Sequence, residues 1–368
     1  MPSVLRVTNR RDFLTRSTAA VAVLPLSGCA GASAHDYERA AQELRAPPRA
    51  LPELRGIVRY ATLAANAHNA QPWRFRLSAA GHRISILPDL SRRTPVVDPD
   101  GHHLFVSLGC AVENLSLAAS AHGQRAAIEI SVEGRIDAEL TAGEPQAGEL
   151  YYAIARRQST RSLYDGRAIA PAMLKQLEEV ARVEGVSVQI VTSAKDRDAV
   201  LQYVIAANNA QMADPAVRAE LLQWIRFNES EALATRDGLF TACAGNPTIP
   251  TWMGRGLFQE GFRKTSENDK YARQVRSSSG IAIFFAERAD RDHWVRVGRA
   301  FERFALQCTA LGLCHAHVNQ PIEVPTVRAD FARWAGAGDT RPDLVVRFGT
   351  GPGLPMSMRR SVDAVLDT

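Results

Sequence analysis

Apolar positions recur at helical spacing in two distant stretches. One reads Gly109-Cys-Ala-Val-Glu-Asn-Leu-Ser-Leu-Ala-Ala-Ser-Ala-His-Gly123, the other Gly298-Arg-Ala-Phe-Glu-Arg-Phe-Ala-Leu-Gln-Cys-Thr-Ala-Leu-Gly312. Val112, Leu115 and Ala119 in the first, and Phe301, Phe304 and Cys308 in the second, mark a buried helical face. A constant offset of 189 positions relates the two, and six of fifteen residues are identical: both glycines, two alanines, one glutamate and one leucine. Gly123 and Gly312 stand where a helix C-cap is expected. Each helix leads toward a β-prone run, at 126–133 and 315–318.

Further strands are expected at 73–77, 83–87, 186–191, 281–286 and 344–348, and helices over 51–65, 148–157, 171–184, 196–213 and 214–228. The polar, Gly- and Pro-containing stretch 141–149 reads as a linker. Strands interleaved with long helices predict a layered α+β or α/β architecture. Two similar helices at one offset predict an internally duplicated pseudo-dimer, with halves 35–145 and 146–368; a chance match of two Ala-rich helices is the plainer alternative. Residues 229–278 show no obvious periodicity. They hold Gly238, Gly245, Gly254, Gly256 and Gly261 around exposed-looking Trp252, Met253 and Phe258, the pattern of a lid-like insertion.

The chain has 368 residues, 46% hydrophobic and 23% charged, enough to bury a core. Its net charge is +5, but Arg6, Arg10, Arg11 and Arg16 against Asp12 put a surplus of three in residues 1–28, leaving +2. Near-neutrality gives no electrostatic footprint for nucleic acid. Five cysteines exclude a disulfide scaffold.

Residues 1–34 read as an address. Asn9-Arg10-Arg11-Asp12-Phe13-Leu14 resembles the bacterial twin-arginine export signal, and 17–28 suits a signal-peptide apolar region. The run 17–34 is diluted by Ser, Thr, Gly and Pro25, so no span is expected from it. Leu26-Ser27-Gly28-Cys29 looks like the lipobox of bacterial lipoproteins, which implies lipidation of Cys29; Ala32-Ser33-Ala34 is a competing cleavage site. An exported protein, periplasmic or anchored to the membrane only through a lipid, is expected. The twin-arginine route carries chains that fold first, which raises the expectation of a tightly held cofactor.

Two motifs carry candidate chemistry. In Ala64-Ala65-Asn66-Ala67-His68-Asn69-Ala70-Gln71-Pro72-Trp73, Pro72 stops a helix and biases Gln71 toward an extended conformation. Asn66, Asn69 and Gln71 cluster amides that donate and accept, as a flavin or nucleotide ring edge requires; on residue chemistry alone a helix C-terminus capped by Asn, with Trp73 in the core, is the plainer reading. Arg156-Arg157-Gln158-Ser159-Thr160-Arg161-Ser162 combines guanidiniums with hydroxyls, a ready phosphate site or a solvated basic helix end.

Together these motifs resemble the nitroreductase superfamily of FMN flavoproteins. Its members carry an Arg-x-Ser-x-Arg element and, further along, a Pro-Ser-x-x-Asn-x-Gln-Pro-Trp element. The matches are Arg157-x-Ser159-x-Arg161 and Ala65-Asn66-x-x-Asn69-x-Gln71-Pro72-Trp73, with Ala65-Asn66 replacing Pro-Ser. In that family FMN lies at a two-fold dimer interface, one element from each subunit. Here the order is reversed along one chain, as expected of two fused subunits with one surviving composite site. Arg347-Phe348-Gly349-Thr350-Gly351-Pro352 and Arg359-Arg360 are similar to the fused, Acg-like branch.

The resemblance implies an α+β, nitroreductase-like fold: a monomeric pseudo-dimer of two helix-flanked mixed sheets with one FMN between its halves. Arg157, Arg161 and Arg359 or Arg360 would neutralise the phosphate, Ser159 would bond it or the ribityl chain, and Asn66, Asn69 and Gln71 would address the ribityl chain and ring edge. The implied activity is FMN-dependent oxidoreduction with a small-molecule acceptor. NAD(P)H is the family's usual donor, and a redox protein or quinol suits an exported enzyme. No catalytic side chain is required. A flavin-sequestering protein with little turnover is the alternative.

Other features carry less. His102-His103 and Cys314-His315-Ala316-His317 lack a convergent ligand set, so no metal is expected, though His315 or His317 could line a flavin pocket. Cys308 and Cys314 could pair, but folding in a reducing cytoplasm argues against a required disulfide. No Gly-x-Ser-x-Gly elbow is present, which leaves hydrolase chemistry without support.

Overall fold

The computed structural model describes residues 31–47, 54–261, 264–338 and 340–367, and residues 32–367 within them belong to one unit. The signal and Cys29 lie outside the described residues. The chain opens with α1 (Ala34–Arg45) and α2 (Leu54–Thr62). There follow β1 (Trp73–Leu77), β2 (Arg83–Pro88), α3 (His102–Ala121), β3 (Gln124–Ile130), β4 (Ile136–Ala142), α4 (Glu149–Ile154) and α5 (Pro171–Val180). Next come β5 (Val186–Val191), α6 (Ala194–Ala213), α7 (Pro215–Trp224), β6 (Ile225–Arg226), α8 (Glu229–Thr235), β7 (Leu239–Phe240), α9 (Thr251–Gly261) and α10 (Lys264–Arg276). The last elements are β8 (Gly280–Ala286), α11 (Arg291–Ala310), β9 (Cys314–His317), α12 (Gln320–Glu323), α13 (Pro325–Trp334), β10 (Pro342–Gly349) and α14 (Val362–Val365).

The α+β expectation holds, and the duplication reaches the topology. One sheet runs β1-β2-β4-β3, the other β5-β8-β10-β9. Numbered within its own sheet, each has order 1-2-4-3, and a twenty-residue helix, α3 or α11, follows its second strand. The expected mixed sheets are corrected: every pairing in both is antiparallel, and the parallel pair is the short β6–β7. Hairpins and a returning tail can join antiparallel strands without the crossover that a parallel pair needs.

The two similar helices pack on each other through their first glycines. A Cβ on Gly109 would lie 2.0 Å from the Val295 carbonyl oxygen, and one on Gly298 would lie 2.0 Å from that of Val106. Val106 and Val295 are themselves 189 positions apart, so the contact is the same seen from either side, as a two-fold axis requires. The closing glycines serve a different need. Gly123 and Gly312 have φ of 74° and 72°, the left-handed cap that other residues enter at a cost.

Around this crossing one core joins both sheets, with Trp73, Phe75, Phe284, Phe301, Phe304 and Phe348 fully buried. By length and composition α3 could cross a membrane, yet it is buried on most sides, as expected of a helix apolar all round. The tail then returns to the first sheet: Leu366 bridges Phe75 in parallel, and Asp367 N donates to Phe75 O at 2.7 Å.

Several boundaries move. The strand expected at 126–133 occupies Gln124–Ile130, and β4 fills part of the expected linker. The helix expected over 214–228 stops at Trp224 and gives way to β6. Residues 229–278, expected to be irregular, carry α8, α9 and α10, and with α6 and α7 they belong to one long excursion between β5 and β8.

Candidate functional site

The amide-rich corner follows α2. Asn66 Oδ1 accepts from Gln71 N at 2.8 Å, closing a tight turn. His68, Asn69 and Gln71 have φ of 51°, 51° and 54°, left-handed backbone that non-glycine residues adopt only when neighbours hold them. The neighbours are specific. Asn69 Nδ2 donates to Gly238 O and Met358 O, while its Oδ1 accepts from Arg359 Nη1 at 2.8 Å. Gln71 Nε2 donates to Arg236 O, and its Oε1 accepts from Arg360 N.

The arginine segment follows α4 along the edge of β9. Thr160 N donates to His315 O at 2.8 Å, and Ser159 bridges His315. Beneath it lies Arg347, fully buried, which donates to Ser162 O at 2.9 Å and stacks over the Tyr164 ring at 4.1 Å.

Glu302 joins the two stretches. Its Oε1 meets Arg157 Nε at 3.0 Å, and its Oε2 accepts from Ala65 N at 3.1 Å. Arg157 and Arg359 also both donate to Leu63 O, and Arg359 to Ala64 O. The Arg157 guanidinium thus acts on those of Arg45 and Arg359, and Arg157 and Arg359 both act on the single buried carboxylate of Glu302. Burial, then Arg157, lowers the Arg45 pKa to about 10; burial, then Arg45 and Arg157, holds Arg359 well below its ordinary value. Burial pushes the Glu302 carboxyl up against the pull of Arg157. The cluster therefore favours an added anion.

Beside it opens a cavity of about 400 Å³, within the range of cofactor pockets. Asn66, Asn69, Arg157, Ser159, Arg161 and Arg359 all line it, so the structure brings six predicted residues together. Arg161 has no carboxylate in ion-pair reach among the described residues. Gln71 and Arg360 are corrections: they are not among the residues lining the cavity, Gln71 is fully buried, and Arg360 faces Asp89 and Ala364 O. Their groups hold the corner together. Arg157 is likewise committed first to Glu302 and Leu63 O.

The other wall comes from the long excursion, including Met212, Leu221, Ile225, Leu239 and Phe240. His68, His103, His317 and Glu323 make a polar side of the cavity. His103 Nε2 lies 3.5 Å from Glu323 Oε1; burial opposes its charge, but that hydrogen bond, with Asp98 and Glu323, raises its pKa. Burial drives the pKa of His68 down to about 4 and of His317 to about 3, leaving both neutral, and the Nδ1 atoms of both lack a hydrogen-bond partner among the described residues. A depressed histidine contributes stability above its unfolded pKa and loses it as pH falls toward the folded value. His317→Gln is therefore expected to remove one proton's worth of acid sensitivity, about 1.4 kcal/mol per pH unit below pH ~6.5. Denaturant titrations from pH 7 to 4.5 check this; an unchanged slope refutes it.

The histidine pairs do not converge as metal ligands. His102 Nε2 meets Asp343 Oδ1 at 2.9 Å, and His315 is buried against Phe301. Cys308 and Cys314 are free thiols. The sequence reading missed Glu302 and Arg45, and it noted Arg347 within a resembling stretch without giving it a role in the site. Glu302 had a signal: it is the one glutamate identical between the duplicated helices.

No protein-family model matches the chain. The chain is similar to the Mycobacterium tuberculosis protein named "Putative NAD(P)H nitroreductase Rv3131", 25% identical over 329 residues covering 85% of this chain and 91% of that protein. It is also similar to "Putative NAD(P)H nitroreductase acg" of that organism, 20% identical over 327 residues, 85% of this chain and 94% of the relative. Among solved structures, a nitroreductase-named protein from Anabaena variabilis aligns with a TM-score of 0.48 at 9% identity, covering 85% of this chain and 91% of the other. The FMN-dependent nitroreductase NfnB from Mycobacterium smegmatis, in complex with NADPH, aligns with a TM-score of 0.38 at 12% identity, covering 59% and 91%.

Proposed function

We propose that this chain holds one FMN in the cavity and acts as a nitroreductase-type oxidoreductase toward a small-molecule acceptor. The observation that carries the reading is the Glu302 bridge, which ties Ala65 of the amide corner to Arg157 of the arginine segment on the wall of one cavity. Similarity to nitroreductase-named proteins along most of the chain supports it. The donor set fits the group: guanidiniums outnumber carboxylates at one end, and unpartnered imidazole nitrogens face the other side.

Arg161 and Arg359 would meet the phosphate, with Arg157 adding charge behind them and Ser159 a neutral donor. Asn66 and Asn69 line the wall but spend their amides on the chain, so they shape the cavity and orient Arg359. Bound FMN supplies two-electron, hydride-type chemistry at its ring. The chain's part is placement, exclusion of water and nearby positive charge. One flavin is favoured over two because the pseudo-equivalent carboxylate, Glu113, is closed off by Arg299 and Arg303 at 2.9 Å each. The same reading treats the chain as a fused pair, halves 35–145 and 146–368, exported on its twin-arginine signal and supplied with electrons by NAD(P)H, a redox protein or a quinol.

The apolar wall drawn from the long excursion favours a second reading, a flavin store. Mixing purified protein with NADPH and a nitroaromatic separates them: bleaching with turnover supports the reductase, and an unbleachable yellow protein supports the store. Arg161→Ala is expected to weaken FMN binding by ten-fold or more, since a charge-assisted hydrogen bond is worth about 1.5–3 kcal/mol. Its melting temperature should hardly move, because Arg161 has no side-chain partner to lose among the described residues. Full retention of yellow colour through dialysis would count against the phosphate assignment.

A further inference from the structure

The histidine side of the cavity is assembled from four separate parts of the chain. His103 stands in the first turn of α3, His68 on the strained corner after α2, His317 at the end of β9 and Glu323 at the end of α12. All four residues line the cavity. Ser107, one turn further along α3, donates to His103 O at 2.6 Å and accepts from Ala67 N at 3.2 Å, which ties the corner to the helix turn. The φ of 51° at His68 is backbone strain held beside a cavity, where strain of this kind tends to serve function.

One group on this wall carries a transferable proton. His103 Nε2 lies 3.5 Å from Glu323 Oε1, and Gln211 Nε2 fixes the same carboxylate by donating to Oε2 at 2.6 Å. His103 Nδ1 has no hydrogen-bond partner among the described residues and is left for a ligand. A helix start opposes a cation, but Asp98 accepts from both His103 N and Leu104 N there and adds its own charge. The titratable and charged groups around His103 are Asp98, His102, His68, His317, Glu323, Arg341 just before β10, and Asp343 within it. Together they favour the imidazolium at His103, while burial keeps His68 and His317 neutral. The Tyr271 hydroxyl on the same wall accepts from Gln320 at 2.6 Å, and burial raises its pKa, so it holds its proton more tightly.

We propose that His103 is a general acid that gives its Nδ1 proton to an oxygen of a quinone or nitro acceptor as that acceptor takes hydride from reduced flavin. This rests on the reading of the cavity as a flavin site. Hydride transfer itself needs no side chain, but the acceptor needs a proton. A quinone that takes one hydride and one proton becomes a hydroquinone; a nitro group becomes a nitroso group and water. The Nδ1–H bond breaks, its electron pair stays on the imidazole, and an O–H bond forms on the acceptor. The neutral ring left behind keeps its Nε2–H toward Glu323, and solvent restores the proton as product leaves. Val97, Val106, Met212 and Phe301 line the same space and limit the water that could serve instead.

The test uses the purified, FMN-loaded chain. Nitrogen-15 spectra of the histidine rings follow the titration of His103, assigned by its loss in His103→Gln. The anaerobically reduced protein is then mixed with benzoquinone, which needs a proton, or with ferricyanide, which takes one electron and none. The quinone rate is expected to fall as pH rises through the His103 titration, and the ferricyanide rate to show no such step. In His103→Gln the quinone-to-ferricyanide rate ratio should drop by at least about ten-fold, at the low end of what general acids contribute. Glu323→Gln, a second variant should the first not fold, removes the carboxylate that favours the imidazolium, so the titration and the quinone profile should move together to lower pH. A ratio unchanged in His103→Gln, or a quinone profile that does not follow the titration, overturns the proposal. Wild-type protein whose reduced flavin reacts with ferricyanide but not with quinone also overturns it and leaves the flavin reading standing. A chain that takes up no FMN overturns the flavin reading, and the proposal with it.

Discussion

Gly298→Val is expected to prevent folding. Its Cβ would fall 2.0 Å from the Val106 carbonyl oxygen and 2.8 Å from the Gly109 Cα, both backbone atoms of the helix packed against it. No rotamer change relieves a backbone clash. The helices would have to separate, and the core that includes Phe301 and Phe304 would separate with them. Domains of this kind are stable by only about 5–15 kcal/mol, and overpacking alone costs about 1–3 kcal/mol where side chains can give way. Here none can, so the loss should exceed about 4 kcal/mol. Gly109→Val should match it, because the contact is reciprocal. Gly312→Ala is the control: nothing lies within 4 Å of its Cβ, and the left-handed φ alone should cost about 1 kcal/mol. Soluble yield and thermal melts decide the matter; a well-folded Gly298→Val protein would refute the two-fold packing.

Glu302→Ala is expected to cost about 3–5 kcal/mol and to release flavin, because it strands the buried Arg157 guanidinium and the Ala65 N–H. Removing one partner of a buried pair leaves an uncompensated charge, which is more harmful than removing both. The double change Glu302→Met with Arg157→Met should therefore recover much of the melting temperature. It should not recover flavin, since the cavity wall would lose charge. Glu113→Ala, at the duplicated position, should cost only about 1 kcal/mol. Its partners Arg299 and Arg303 are about one-third exposed and can turn to water. Equal effects at Glu113 and Glu302 would remove the distinction between the two.

Much of the fold was legible in the chain. The strands at Trp73–Leu77 and Val186–Val191 were placed residue for residue, because short β-prone runs bounded by turn residues signal their own limits. β4 was missed: Ile136, Ala138 and Leu140 alternate, but Asp137 and Glu139 between them made the run read as polar. A half-buried strand of that kind is apolar on one face only. The candidate site was legible in its motifs, with Arg157, Ser159, Arg161, Asn66 and Asn69 on one cavity wall. The roles within it were less so. Gln71 and Asn69 read as ligand-facing amides, yet backbone groups from 236–238 and 358–360 take their hydrogen bonds.

The sequence by itself determined the repeated helix, its capping glycines and the two motifs, because helical period, turn chemistry and residue type are local properties. Tertiary structure alone decided that Gly109 meets Gly298 and that Glu302 bridges Ala65 and Arg157. It also decided which of two equivalent glutamates lies beside a cavity against the buried Arg157, and which is closed off by two arginines that are themselves about one-third exposed. The physical reason is long-range packing: residues hundreds of positions apart acquire partners, and a low-dielectric surrounding, only when the two sheets close on the same pair of helices.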